Sequence, residues 1–280
     1  MINVNELFYE EEGLGNEETV IFLHPKILSN WIWEEQKGQL ENYDCIYLDL
    51  PNHGNSPPMD TFTIKGVCEL IKEFILMKIK PSFKKDKVNL VGIGTGGLIA
   101  FELLCKYPEI LDKIIVTGIS SPEDVGFEKR ETSMVNIFDN TKKILDNKPK
   151  GFLTKAWLAN YGFSGRFSKK MKFSYENISQ KDLKDISFEA LNYKIPEVKD
   201  VDKGKDLLIA FGTKDERVVN YSSVLFHSKF PSAKCLKIDK ALHMWNLLEP
   251  KLFNEIMVDF IKEGNVFIMI FFGFSIFYFF

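Results

Sequence analysis

Short apolar runs alternate along the chain with stretches whose apolar residues recur at helical spacing. Residues 19–24 (TVIFLH), 45–50 (CIYLDL), 87–93 (KVNLVGI), 113–119 (KIIVTGI), 206–212 (DLLIAFG) and 233–239 (AKCLKID) read as strands. Most are hydrophobic almost throughout, as parallel strands are when both faces of their sheet are covered. Between them, 62–80, 97–107, 219–230 and 250–263 carry the helical period, and Gly264 supplies a stop for the last. The alternation predicts an α/β fold, a mainly parallel sheet flanked by helices. From Ser121 to Lys205 the rhythm breaks into polar, helically patterned sequence with no strand-like run. A structureless loop of that length is foreign to a compact fold, so an inserted helical cap is expected there. The domain plan is a core of 1–120 and 206–264, a cap of 121–205, and a hydrophobic tail, 265–280, outside the fold.

Composition narrows the function classes. A chain of 280 residues can bury a sizeable core, and 45% hydrophobic with 27% charged residues is ordinary for a globular protein. A net charge of −3 with scattered Lys and Arg gives no footprint for nucleic acid. Cys45, Cys68, Cys105 and Cys235 show no CxxC or Cys/His spacing, which points to free thiols in a reducing compartment and to no metal. No cofactor is expected. The segment MINVNELFYEEEG has neither a basic start nor an apolar run, so no signal peptide is read and the expected location is cytoplasmic. Residues 266–280 carry no charge. As a helix they would reach about 22 Å, short of the roughly 30 Å of a bilayer core. Two readings stay open for them: a short membrane anchor, or a non-native tail from AT-rich coding sequence.

The segment VNLVGIGTGGLIA (88–100) runs from a strand through a tight glycine turn straight into a helix. Around it lie LHPKILSNWIW (23–33), LDLPNHGNS (48–56), LLIAFGTKDERV (207–218) and KALHMW (240–245), in that order. In these motifs the chain resembles the α/β-hydrolase superfamily, whose nucleophile elbow is G-x-S-x-G and whose second loop reads D-x-P-G-H-G-x-S. The resemblance spans about residues 19 to 263. It implies Asp215 as the triad acid and His243 as the base. At the nucleophile position it finds Gly94 in place of serine. Acyl transfer by the family's route needs that hydroxyl, and losing it from a comparable serine hydrolase costs on the order of 10⁶ in kcat. Glycine adopts the strained elbow conformation without the steric cost serine bears.

The resemblance also implies an oxyanion hole made by the backbone N–H groups of Lys26 and Thr95, with Pro25 standing where the family has glycine. Trp31, Trp157 and Trp245 are candidates for the pocket wall, core packing being equally open for each. His53 reads as structural and His227 as solvated. GIGTGG also fits the dinucleotide fingerprint G-x-G-x-x-G, but no acidic residue closes the next strand and the flanking motifs would go unexplained. The function expected is a hydrolase homologue that has lost acyl transfer and binds a small apolar carbonyl or ester compound under its cap. The alternatives are a hydrolase using water activated by His243 and Asp215, and a membrane-associated interaction protein resting on the tail.

Overall fold

The structure is a computed structural model and describes residues 3–79, 87–121, 143, 147, 151, 152, 155, 165–196, 206–266 and 276–279. Eight strands form one sheet: β1 (Tyr9–Glu12), β2 (Glu18–Leu23), β3 (Tyr43–Leu48), β4 (Val88–Ile93), β5 (Leu111–Thr117), β6 (Asp206–Gly212), β7 (Lys234–Ile238) and β8 (Ile276–Phe279). Their spatial order is β1-β3-β2-β4-β5-β6-β7-β8. The six inner strands are parallel and the two edge strands antiparallel. Helices α1 (Ile64–Phe74), α2 (Thr95–Lys106) and α5 (Arg217–Lys229) cover one face, and α7 (Pro250–Glu263) the other. The hydrophobic runs show why two faces are needed. In β2, Ile21 and Leu23 enter the core with α1 and α2, while Val20 and Phe22 enter the core with Trp33, Phe253 and Phe260.

Strand β2 lies between β3 and β4, so the loops leaving β2 and β4 part to opposite sides and open a crevice at the carboxyl ends of the strands. Between β5 and β6 the described residues include α3 (Gly165–Asn177) and α4 (Gln180–Leu191), and no strand. Both helices are tied to the crevice loops. The Trp31 indole N–H donates to Ser174 Oγ (2.9 Å), Asn52 Nδ2 to Asp182 Oδ1 (2.8 Å), and the Ile64 N–H to Glu189 Oε1 (2.9 Å). A short α6 (Trp245–Leu248) precedes α7.

All six strands read from the sequence are present, and α7 has the expected limits. Helix α1 stops at Phe74 and continues as a π-helical turn, Ile75–Ile79. Strand β1 escapes sequence reading because YEEE carries no apolar run; its register on β3 makes it a strand. The tail requires a correction. Ile276–Phe279 is not outside the fold but pairs with β7, Ile238 opposite Ile276 and Cys235 opposite Phe279. An open sheet edge offers unpaired N–H and C=O groups, and an apolar, aromatic segment is suited to fill them. Periodicity alone cannot separate such a run from a helix. Among the described residues no helix is long and apolar enough to cross a membrane.

One buried carboxyl makes stability sensitive to pH. Asp44 on β3 is only 4% exposed and its Oδ1 has no hydrogen-bond partner. Burial, and then the charge and hydrogen bond of Glu11, push its carboxyl up from 3.8 to about 7. The folded protein thus keeps this proton where the unfolded chain has released it. Stability falls as pH rises from about 4 towards about 7, the window between the unfolded and folded values. Asp44→Asn, which mimics the protonated form, is expected to flatten that decline and raise Tm at pH 8 by about 2–4 °C. Melts from pH 4 to 8 check it, and an unchanged slope would refute it.

Candidate functional site

Strand β4 ends at Ile93, and Gly94 turns the chain with φ 54° and ψ −120° into α2, which begins at Thr95. Side-chain sterics all but close that region of φ/ψ to L residues, so the turn is one that glycine adopts freely. The turn is held on both sides. The Gly94 N–H donates to Thr117 O at the end of β5, and the Leu98 N–H donates to Gly94 O, each at 2.9 Å. The remaining glycines of GIGTGG press the first turn of α2 against the sheet: a Cβ on Gly97 would lie 2.6 Å from Ile119 Cγ2. Close packing therefore accounts for the spacing that mimics a dinucleotide fingerprint.

Asp215 follows β6 and His243 follows β7, and the sheet brings them together. His243 Nδ1 lies 3.0 Å from both carboxylate oxygens of Asp215. The Asp215 side chain is 2% exposed, and its Oδ1 accepts the Glu216 N–H at 2.7 Å. This arrangement places the ring proton on Nδ1 and turns Nε2 towards the elbow, 3.5 Å from where a Cβ on Gly94 would stand. Burial lowers the imidazole pKa, but the Asp215 charge and hydrogen bond, with Glu216, raise it further than burial and Lys26 lower it. The net shift is upward. Burial lowers the Lys26 ammonium, and Glu216 opposes this in part.

The loop after β2 forms the facing wall. His24, fully buried, donates from Nδ1 to Pro25 O (2.8 Å) and accepts the Leu50 N–H at Nε2 (2.9 Å). Ile27 follows with φ 76°, a strained setting for a β-branched residue. Among the described residues, no group accepts from the backbone N–H of Lys26 or Thr95.

Between the loops after β2 and β3 and helix α3 is a cavity of about 810 Å³, lined among others by Ile27, Ser29, Trp31, Asn52 and Lys170. None of Gly94, Asp215 and His243 lines it. Trp31 stands in its wall, with the Lys170 ammonium 5.7 Å from the ring centroid. Trp245 does not: it is 1% exposed in the core, 4.7 Å from Phe253, and its indole N–H donates to Thr117 Oγ1 at 3.0 Å. Of the two roles open to this tryptophan, core packing is the one it takes, in the hydrophobic layer beneath α7. Trp157 lies outside the described residues. His53 is 3% exposed, with Nδ1 on Pro51 O at 2.8 Å. Among the described residues, no three His, Cys, Asp or Glu side chains group as metal ligands.

Sequence reading misses Gly118. The imidazole rests on it: a Cβ there would lie 2.7 Å from His243 Cε1 and 3.1 Å from Nδ1, and its φ is +65°. Nothing in VTGIS announces this, because the constraint comes from a ring contributed by a distant loop. Gly118→Ala is expected to push the ring off Asp215 and to cost roughly 1–3 kcal/mol in backbone strain. The His243 titration, followed by NMR, should move to lower pH than in wild type; an unmoved titration would show that the ring is held elsewhere.

The profile for the alpha/beta hydrolase fold matches residues 18–250. An uncharacterized hydrolase of Bacillus subtilis (strain 168) is 22% identical over 274 residues, 91% of this chain and 94% of its own. A pimeloyl-[acyl-carrier protein] methyl ester esterase of Nitrosospira multiformis is 27% identical over 151 residues, 51% of this chain and 56% of its own. That and other named relatives are matched over only 30–56% of their lengths. Among solved structures, a hydrolase from Pseudomonas aeruginosa PA01 superposes with a TM-score of 0.74 at 14% identity, covering 91% of this chain and 94% of that one.

Proposed function

The chain belongs to the α/β-hydrolase family, and on that premise we propose that it is a disarmed member, one that binds a small, mostly apolar carbonyl or ester compound under a helical cap without acyl transfer. The observation that carries the reading is Gly94, at the elbow and opposite His243 Nε2. The neighbouring nucleophiles do not replace the missing hydroxyl. Ser121 Oγ donates to Tyr193 O at 2.9 Å in a buried setting, and burial, with the charge of Glu102, pushes the Cys105 thiol up to about 12. In this reading the free N–H groups of Lys26 and Thr95, with the positive end of α2, hold the ligand oxygen. Helices α3 and α4 serve as the described part of the cap. The cavity beside Trp31 takes the apolar remainder of the ligand, and the methyl ester esterase relative supports ester-like chemistry for it.

A second reading, hydrolysis by water activated at His243, draws on the intact 3.0 Å contact with Asp215. The Asp215 charge that raises the imidazole pKa also strengthens it as a base, so the shift does not decide between the two readings. A series of short-chain p-nitrophenyl esters separates the two. Wild type is expected to match buffer. Turnover well above buffer that His243→Ala abolishes would overturn the disarmed reading in favour of the second.

A further inference from the structure

Pro25 and Gly94 face each other across the crevice between β2 and β4. A Cβ on Gly94 would lie 3.0 Å from Pro25 Cβ and 3.7 Å from Pro25 Cα. Carbon atoms pack best at about 3.5–4.0 Å, so any side chain at the elbow meets the pyrrolidine ring at well under that distance. A flexible neighbour could swing away; Pro25 has no such freedom. Its ring locks φ, its carbonyl is held by His24 Nδ1 at 2.8 Å, and His24 is itself held by the Leu50 N–H at 2.9 Å. The elbow is equally fixed, through the Gly94 N–H on Thr117 O and through Gly96, whose own Cβ would meet Leu23 O at 2.2 Å.

We propose that Pro25 is the second half of the disarming: its ring occupies the space beside His243 that a nucleophile side chain needs, so restoring the serine alone does not rearm the site. This inference rests on the disarmed reading above and adds a requirement to it. It also gives the ligand site its character. The face opposite the imidazole is an apolar ring with no N–H of its own, leaving Lys26 and Thr95 as the donors. A ligand carbonyl there is flanked by hydrocarbon on one side and imidazole on the other.

The test compares wild type, Gly94→Ser, Pro25→Gly and the double variant Pro25→Gly/Gly94→Ser. Each is assayed for labelling by a fluorophosphonate probe and for turnover of p-nitrophenyl acetate. Gly94→Ser alone is expected to be neither labelled nor active above wild type. The double variant should be labelled and should exceed the single by on the order of 100-fold or more, with the gain lost on adding His243→Ala. Equal labelling and turnover in the single and double variants would overturn the role of Pro25 while leaving the disarmed reading standing. So would a folded double variant that is neither labelled nor active. His243-dependent turnover by wild type would instead overturn the disarmed reading itself. A stability cycle needs no activity: the fall in Tm on Gly94→Ala should be smaller in the Pro25→Gly background, the remainder being the backbone strain of a side chain at φ 54°, and equal falls refute the contact.

Discussion

Gly96→Ala is expected to lower stability by at least about 3 kcal/mol and Tm by roughly 6–12 °C. A Cβ at Gly96 would sit 2.2 Å from Leu23 O, 2.5 Å from Leu23 C and 2.6 Å from His24 O. All three atoms are backbone at the end of β2, so no rotamer change relieves the collision. Helix α2 would have to lift from the sheet, and the buried packing of Leu98, Ile99 and Phe101 with it. The site would open too, because the elbow and the Pro25 loop would part. Gly151→Ala is the control: nothing lies within 4 Å of a Cβ there, and at this exposed helical position stability is expected to hold or to rise by up to about 1 kcal/mol. A Gly96→Ala melt within a degree or two of wild type would mean that α2 is not seated on β2 as described.

Asp49→Ala is expected to cost about 2–4 kcal/mol, from the loss of charge-assisted hydrogen bonds and a buried donor left unpaired. Asp49 is 1% exposed; Oδ1 accepts the Asn30 N–H at 2.7 Å and Oδ2 the Asn55 N–H at 2.9 Å. Burial raises its pKa, and these two N–H groups pull it back only in part. One side chain therefore ties the loop after β3 to the loop after β2. Without it, the Ile27–Trp31 wall of the cavity loses its anchor. Besides the lower Tm, faster amide exchange at Asn30 is expected. Unaltered exchange there, with an unaltered melt, would show that the two loops stand independently.

Much of this fold is legible in the amino-acid sequence. The hydrophobic runs place the inner strands because a strand covered on both faces has little room for polar residues. The limits of α7 follow from Pro250 at its start and Gly264, with φ 64°, at its close. Strands β1 and β8 escape because an edge strand is defined by its partner rather than by its own period. Trp31 and Trp245 look alike as residues, yet one borders the cavity and the other lies within the sheet's second hydrophobic layer.

The sequence by itself determines the alternation of strands and helices, the presence of Asp215 and His243 in register with the family's motifs, and the lack of a hydroxyl at Gly94. These are facts of local period and of covalent identity, and each is complete within a few consecutive residues. Only the tertiary structure decides that His243 rests on Gly118, that Asp49 reaches Asn30, and that the Pro25 ring stands against Gly94. Each is a contact between segments brought together by the β3-β2-β4-β5 order of the sheet or by loops converging at its carboxyl edge. Close contacts between remote residues are set by how helices seat on strands, and no local pattern in the chain encodes that seating.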